Sequence, residues 1–216
     1  MSHAHDHPHD DGHRHPFQPD LEDAPFAYHQ VLAQAVGDVL VAKGVFTAED
    51  LRRQIEAIDA AEPARGARLV ARAWIDGGFR ERLLRDVNAA AAELGVDAGG
   101  IPIRAVANEP GVHNLIVCTL CSCYPRLLIG LPPDWYKSRA YRSRAIREPR
   151  AVLAEFGTAI PDDIEVRVHD STADLRYMVL PLRPEGTEGW DETRLAGLVT
   201  RDSMIGVALP RVPAAA

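Results

Sequence analysis

Val117-Cys118-Thr119-Leu120-Cys121-Ser122-Cys123-Tyr124-Pro125 is the stretch on which the reading of this chain turns. It holds all three cysteines of a 216-residue sequence within six positions. Three clustered thiols cannot build the paired framework of a disulfide-stapled domain, so they point to a local chemical site. At spacing i, i+3 and i+5 they can converge on one point from a single tight loop. As thiolates they are soft donors suited to zinc, copper, iron or cobalt. A structural zinc site takes four protein ligands, commonly as two separated pairs, and no second pair exists here. His113 is a remote fourth donor, five residues upstream of Cys118. Between Cys121 and Cys123 lie the Ser122 and Cys123 backbone nitrogens. If both sulfurs hold one ion, those amides are forced into its plane. They bind only when deprotonated, which demands a strongly Lewis-acidic, typically trivalent ion. Three sulfurs and two nitrogens make a square pyramid, and its sixth position stays open, as in a catalytic site.

Working outward, the fold class expected is α+β: a helical N-terminal arm, then a layered α/β body carrying the cysteine metal-claw loop. Three segments are expected: a disordered tail over 1–25, the helical arm over 26–100 and the metal-binding body over 101–216. The tail holds six of the nine histidines and six acidic side chains against Arg14 alone, a net of −5. With so few apolar residues it cannot offset its ordering entropy, though its His and Asp could hold a transition metal weakly. In the arm, Val31, Leu32, Ala35, Val36, Val39 and Leu40 share one helical face, and Gly44 reads as a C-cap. A second helix begins at Thr47 and ends at Pro63, a third runs near Arg65–Trp74 and a fourth near Arg80–Leu94. In the body, Ile103–Ala107, Asn114–Val117, Ile164–His169, Leu175–Leu182 and Ser203–Leu209 read as strands. Trp190–Val199 reads as a short helix with Leu195, Leu198 and Val199 inward.

Beyond the claw, Gly130-Leu-Pro-Pro-Asp-Trp-Tyr-Lys-Ser138, Tyr141-Arg-Ser-Arg144, Arg147-Glu-Pro-Arg150 and Val152-Leu-Ala-Glu-Phe-Gly157 follow in order. Arg176-Tyr-Met-Val-Leu-Pro181, Arg183–Trp190 and Val199–Ala208 come later, and Asn108-Glu-Pro-Gly-Val-His-Asn114 precedes. Together with Cys118–Pro125 these closely resemble the alpha subunits of nitrile hydratase, over most of the chain. The resemblance implies a metal held by Cys118, Cys121 and Cys123 through sulfur and by Ser122 and Cys123 through amide nitrogen. Cys118 corresponds to the unmodified axial thiolate, Cys121 to a sulfinate and Cys123 to a sulfenate, early rungs of thiol oxidation. Thr119 and Tyr124 resemble the cobalt type, giving low-spin Co(III), with Fe(III) as the alternative. The activity implied is hydration of a small-molecule nitrile to its amide, with catalytic roles for Cys123, Cys121 and Ser122. Either an activated water or the Cys123 sulfenate oxygen attacks the nitrile carbon. A beta-type subunit, or two beta-like chains, would close the pocket, and a metallochaperone-like maturation partner is implied.

Two departures bear on substrate. Arg126 stands where many members have Trp, three residues past Cys123, which changes the pocket wall from apolar to hydrogen-bonding. Its counterpart readings are contact with an anionic or polar heteroaromatic (nucleoside) nitrile and an interface ion pair. Gly99 replaces a pocket residue that is often Gln. Tyr124-Pro125-Arg126 resembles the three-subunit relatives thiocyanate hydrolase and toyocamycin nitrile hydratase. The competing functions are therefore a thiocyanate hydrolase gamma-type subunit, forming carbonyl sulfide and ammonia, and a non-catalytic cobalt- or zinc-binding protein.

Charge excludes other classes. The chain carries −7 in all, so residues beyond the tail hold only −2. No broad basic face for nucleic acid is expected. Lys137, Arg139, Arg142, Arg144, Arg147 and Arg150 read as ion pairs and subunit contacts rather than a phosphate site. Trp74, Trp135 and Trp190 read as packing anchors, His113 and His169 as structural histidines, and Asp170-Ser171 as a turn with a capping role. No run approaches the roughly 18 apolar residues of a membrane span. The polar N-terminus lacks a signal-peptide core, so the expected compartment is the cytoplasm.

Overall fold

The computed structural model describes residues 27–213; the His-rich stretch over 1–25 lies outside them. The chain divides into two compact units, Met1–Ala48 and Glu49–Ala216. In the first, α1 (Tyr28–Ala42) forms over the expected apolar stripe and ends at Lys43, with Gly44 in the left-handed region at φ 68°. No residue of α1 is buried.

The helices of the second unit begin with α2 (Ala48–Asp59) and α3 (Pro63–Ile75). The sequence reading ended the second helix at Pro63, but Pro63 instead opens α3. A proline costs nothing there because a first-turn N–H has no intrahelical acceptor. The single helix expected over Arg80–Leu94 is two, α4 (Gly77–Arg85) and α5 (Val87–Glu93). Asp76 and Asp86 each cap the helix that follows, accepting from Phe79 N and Ala89 N at 2.9 and 3.0 Å. A good N-cap in mid-pattern starts a new helix at an angle, and periodicity alone does not register it.

Four short strands follow the expected positions: β1 (Ile103–Ala107), β2 (Val112–Val117), β3 (Glu165–Asp170) and β4 (Arg176–Leu180). They form two separate parallel pairs, β1 with β4 and β2 with β3. Parallel pairing requires crossovers, and these are helical. Between β2 and β3 lie α6 (Arg126–Ile129), α7 (Asp134–Lys137), α8 (Arg139–Arg147) and α9 (Pro149–Glu155). The sequence reading did not place these four. All are short, α8 alone carries four Arg, and it depends on a Ser138 cap to Tyr141 N at 3.1 Å. The C-terminal helices are α10 (Glu192–Ala196) and α11 (Arg201–Ile205). Leu195, Leu198 and Val199 are buried as expected. Ser203–Leu209 is not a strand: Thr200 and Ser203 form a reciprocal capping box that opens α11, and Gly206 closes it. The apolar run Met204–Val207 is buried on all sides, and a short fully buried run reads alike as helix or strand.

Leu69, Phe79 and Leu83 of α3 and α4, Leu115 and Ile116 of β2 and Met178 of β4 are fully or almost fully buried and form the centre of the core. Trp135, Tyr136, Tyr141 and Phe156 pack beside it in edge-on and tilted pairs, with ring centroids 4.6–6.4 Å apart. Trp74 donates to Pro181 O at 2.8 Å, and Arg194 stacks on Trp190 at 3.4 Å, so all three tryptophans act as packing anchors. Among the described residues no helix is long and apolar enough to cross a membrane.

The Asn108–Asn114 motif forms a buried polar chain. His113 Nε2 lies 2.7 Å from Gly206 O, and a carbonyl only accepts, so Nε2 carries the proton. The bare Nδ1 faces Asn108 Nδ2 at 3.3 Å. Asn108 Oδ1 accepts from Asn114 N and Nδ2, and Asn114 Oδ1 accepts from His169 Nε2 at 2.8 Å. A proton on His113 Nδ1 would oppose the Asn108 amide N–H. Burial, which outweighs the Gly206 carbonyl, holds the His113 pKa below its ordinary value, and burial followed by Arg167 lowers that of His169. A histidine neutral in the fold stabilises fully above the unfolded pKa of about 6.5, and that contribution is lost as the pH falls below it. Urea unfolding midpoints are therefore expected to drop from pH 7.5 to 5.5, with a smaller drop in His113→Asn.

Candidate metal centre

β2 and β3 run in register so that Val117 pairs with Asp170, and both strands end together. The claw loop leaves β2 at this point, and Asp170 is there to receive it. Its Oδ1 accepts from Thr119 N at 2.9 Å and its Oδ2 from Thr119 Oγ1 at 2.6 Å. A carboxylate taking two donors from one residue fixes that residue's orientation as well as its place. Beyond it the loop turns back, and Cys121 N donates to Cys118 Sγ at 3.3 Å. Two outside groups pin the far side. Tyr136 Oη donates to Cys123 O at 3.0 Å, and Arg142 Nη1 donates to Cys121 O at 3.0 Å.

The three sulfurs meet. Cys121 Sγ is 3.5 Å from Cys118 Sγ and 3.2 Å from Cys123 Sγ, and all three lie within 4.8 Å of one another. With metal–sulfur bonds of about 2.3 Å, two sulfurs at right angles on one ion stand about 3.2 Å apart, and two on a tetrahedron about 3.8 Å. The 3.2 Å separation matches the right-angled arrangement, and the 3.5 Å one lies between the two. The donor set fits too: His113 spends both nitrogens on Asn108 and Gly206, which leaves a tetrahedral Cys3His zinc site without its fourth ligand. Arg142 adds a feature specific to amide ligation. It holds the oxygen of the Cys121–Ser122 peptide, and negative charge on Ser122 N is shared with that oxygen by resonance.

Cys118 and Cys123 are buried, while Cys121 is exposed and Leu120 beside it is 84% exposed. Hydrogen bonds from Cys123 first and Cys118 second pull the Cys121 thiol down to about 7. Burial, then the two neighbouring sulfurs, pushes the Cys123 thiol up to about 12, against the lowering field of Arg176.

Arg126 is exposed and borders a cleft of about 250 Å³ that opens next to the claw. Gly99, at φ 82°, lies in the same wall, where a Cβ would come 2.9 Å from Leu127 Cδ1. The six basic residues of the 137–150 stretch divide. Lys137 pairs with Asp134 at 2.8 Å, Arg144 with Glu148 and Glu155 at 2.6 Å each, and Arg150 donates to the Ile160 and Pro161 carbonyls at 3.0 Å. Arg139, Arg142 and Arg147 instead border a second cavity with Thr119. Sequence reasoning missed the roles of Asp170, Tyr136 and Arg142 at the claw. Asp170 was assigned to a turn; only strand pairing brings it 51 positions along the chain to Thr119.

Residues 27–208 match the family model described as nitrile hydratase, alpha chain. The chain is 49% identical to the alpha subunit of the low-molecular weight cobalt-containing nitrile hydratase of Rhodococcus rhodochrous, covering 85% of this chain and 89% of that one. A recombinant thiocyanate hydrolase with partially modified cobalt centers superposes with a TM-score of 0.79 at 41% identity, covering 86% of this chain and 91% of that one. A double mutant of the Fe-type nitrile hydratase from Comamonas testosteroni Ni1 gives 0.75 at 41% identity, covering 87% and 95%. On a match that runs through the claw and both strand pairs, the chain belongs to the nitrile hydratase alpha-chain family.

Proposed function

We propose that this chain is the metal-bearing alpha-type subunit of a cobalt nitrile hydratase, hydrating a nitrile to its amide in the cytoplasm together with a beta-type companion. The observation that carries this reading is the meeting of three sulfurs at 3.2 and 3.5 Å on one anchored loop. Cys118, Cys121 and Cys123 hold the ion through sulfur, and Ser122 and Cys123 through their amide nitrogens. A trivalent ion bound there supplies Lewis acidity toward a nitrile nitrogen. The chain's own residues do the rest. Asp170, Tyr136 and Arg142 keep the loop in its bent form, so the donors are oriented before substrate arrives. With dioxygen as the oxidant, exposed Cys121 would be carried to sulfinate and buried Cys123 only to sulfenate, whose oxygen would attack the nitrile carbon. The companion covers the open side of the loop at Leu120 and Cys121, and a maturation partner loads the metal. Cobalt over iron rests on Thr119 and on the cobalt-containing relative.

Metal analysis of the purified chain, with mass spectrometry of the claw peptide, tests this directly. One tightly held cobalt with added oxygen on Cys121 and Cys123 is expected; exchangeable zinc on unmodified thiols would overturn the reading. The second reading, a thiocyanate hydrolase gamma-type subunit, is favoured by one observation, the exposed Arg126 cation at the cleft. Assaying a small nitrile, a nucleoside nitrile and thiocyanate side by side decides between them. Arg126→Trp is expected to shift preference toward small apolar nitriles by about tenfold, the scale of one charged hydrogen bond lost. Unchanged selectivity would place Arg126 outside the substrate's reach.

A further inference from the structure

Arg139, Arg142, Ser143, Ile146 and Arg147 recur along α8 at i, i+3, i+4, i+7 and i+8, so they share one face of the helix. That face and Thr119 of the claw loop line a cavity of about 660 Å³. No carboxylate stands in the lining. The acidic residues near the stretch in sequence are spent elsewhere: Asp134 holds Lys137, and Glu148 and Glu155 both hold Arg144. Asp170, which meets Thr119, has both its oxygens engaged on that residue. Among the described residues Arg139 has no hydrogen-bond or ion-pair partner. Arg147 spends only Nε, on Ser143 O at 3.3 Å, and Arg142 spends Nη1 on Cys121 O. The sequence reading set the whole stretch down as ion pairs and subunit contacts; the fold pairs half of it and gathers the other half on one open face.

Three like charges on one wall repel one another, and a cleft lined by one sign concentrates counter-ions. Spacing and lining narrow the class of ion. Arg139 and Arg147 stand eight positions apart, about 12 Å along the helix axis. A small monoanion meets one guanidinium at a time, whereas an ion with several charged oxygens can meet two or three. Forked guanidinium donors suit carboxylate and phosphate geometry. Ile146, 46% exposed, adds apolar wall that a carbon scaffold can cover and a bare inorganic ion cannot.

We propose that this cavity is an oxyanion site, in which Arg139, Arg142 and Arg147 take a small organic molecule carrying several carboxylate or phosphate oxygens. It shares no lining residue with the cleft beside Arg126. It stands independently of the nitrile hydratase reading, since it needs neither metal nor turnover. Arg142 links it to the claw, because the guanidinium that faces the cavity also holds the Cys121 carbonyl.

Calorimetry on the full purified chain, with ionic strength held constant by sodium chloride, tests the site. The probes are propane-1,2,3-tricarboxylate, glucose 6-phosphate and inorganic phosphate, with glucose as the uncharged control. The two organic anions are expected to bind saturably, one per chain, and more tightly than inorganic phosphate, while glucose does not bind. Arg139→Gln combined with Arg147→Gln should weaken both by about tenfold or more, the scale of hydrogen bonds to charged groups lost. Arg85→Gln combined with Arg104→Gln removes two exposed cations outside the cavity and should change affinity by no more than about twofold, because distant surface charge is screened. Equal weakening in the two double variants would reduce the effect to net charge and overturn the site, as would the absence of saturable binding. Organic anions that bind no more tightly than inorganic phosphate would overturn the ligand class. A hexaglutamate peptide that binds more tightly than every small anion would make this face a protein-docking surface and overturn the small-molecule site.

Discussion

Cys123→Ser is expected to leave a folded chain that holds no tightly bound cobalt and hydrates no nitrile. The Cys123 sulfur lies 3.2 Å from Cys121 Sγ, at the far end of the claw from Cys118. A serine hydroxyl is a harder donor and holds its proton far above neutral pH, so it cannot replace a thiolate on a soft or borderline ion. It also forms no sulfenate, so the oxygen proposed as the nucleophile is lost with it. Stability should change little. Tyr136 reaches the Cys123 carbonyl and not its side chain, and Asp170 holds the loop through Thr119. The chain should therefore melt within about 1–2 kcal/mol of the unmetallated wild type, the range of a conservative buried substitution. Metal content by mass spectrometry and hydration rate at saturating nitrile are the two readouts. A variant that keeps one cobalt per chain and full turnover would remove Cys123 from both roles. Keeping the metal while losing turnover would leave Cys123 as the nucleophile alone.

The sequence exposed the donors of this site better than the devices that hold them. Cys118, Cys121 and Cys123 could be joined on paper because their spacing lies within one loop, and short-range geometry is nearly fixed by chain connectivity. The strands β1, β2, β3 and β4 were also legible, since each carries its own alternation or apolar run. Asp170 was not, because its role depends on the parallel register of β2 with β3, and a 47-residue gap separates the two strands. Arg142 shares this property: its partner, the Cys121 carbonyl, is set by tertiary placement, and in the sequence it looks like one cation among many. The misread Ser203–Leu209 segment has a different cause. Its composition suits a buried strand, but the Thr200–Ser203 capping box at one end and Gly206 at the other specify a helical turn. The caps lie outside the apolar pattern itself.

Gly206→Ala is expected to be the most destabilising single methyl addition among the described residues. Gly206 closes α11 in the left-handed region at φ 97°, and its amide donates to Asp202 O at 3.0 Å. A Cβ built there would lie 2.1 Å from Asn114 O and 3.1 Å from Asn114 C and Leu115 Cα. Those are backbone atoms of β2 in the middle of the core, so no side chain can swing aside. Relief would require α11 to move away from β2, and Gly206 O is also the acceptor that holds His113. The strand whose end carries Cys118 would lose its neighbour and its polar chain together. A loss of about 4 kcal/mol or more is expected, the scale reserved for clash in a packed core. That corresponds to a fall of about 10 °C or more in Tm for a domain of this size. Gly157→Ala separates clash from strain. Gly157 has a similar handedness at φ 75°, but nothing lies within 4 Å of its would-be Cβ. It should lose only about 1 kcal/mol, the cost of the backbone conformation alone. Equal melting losses in the two variants would mean that α11 yields easily, and that its packing against β2 does not position the claw.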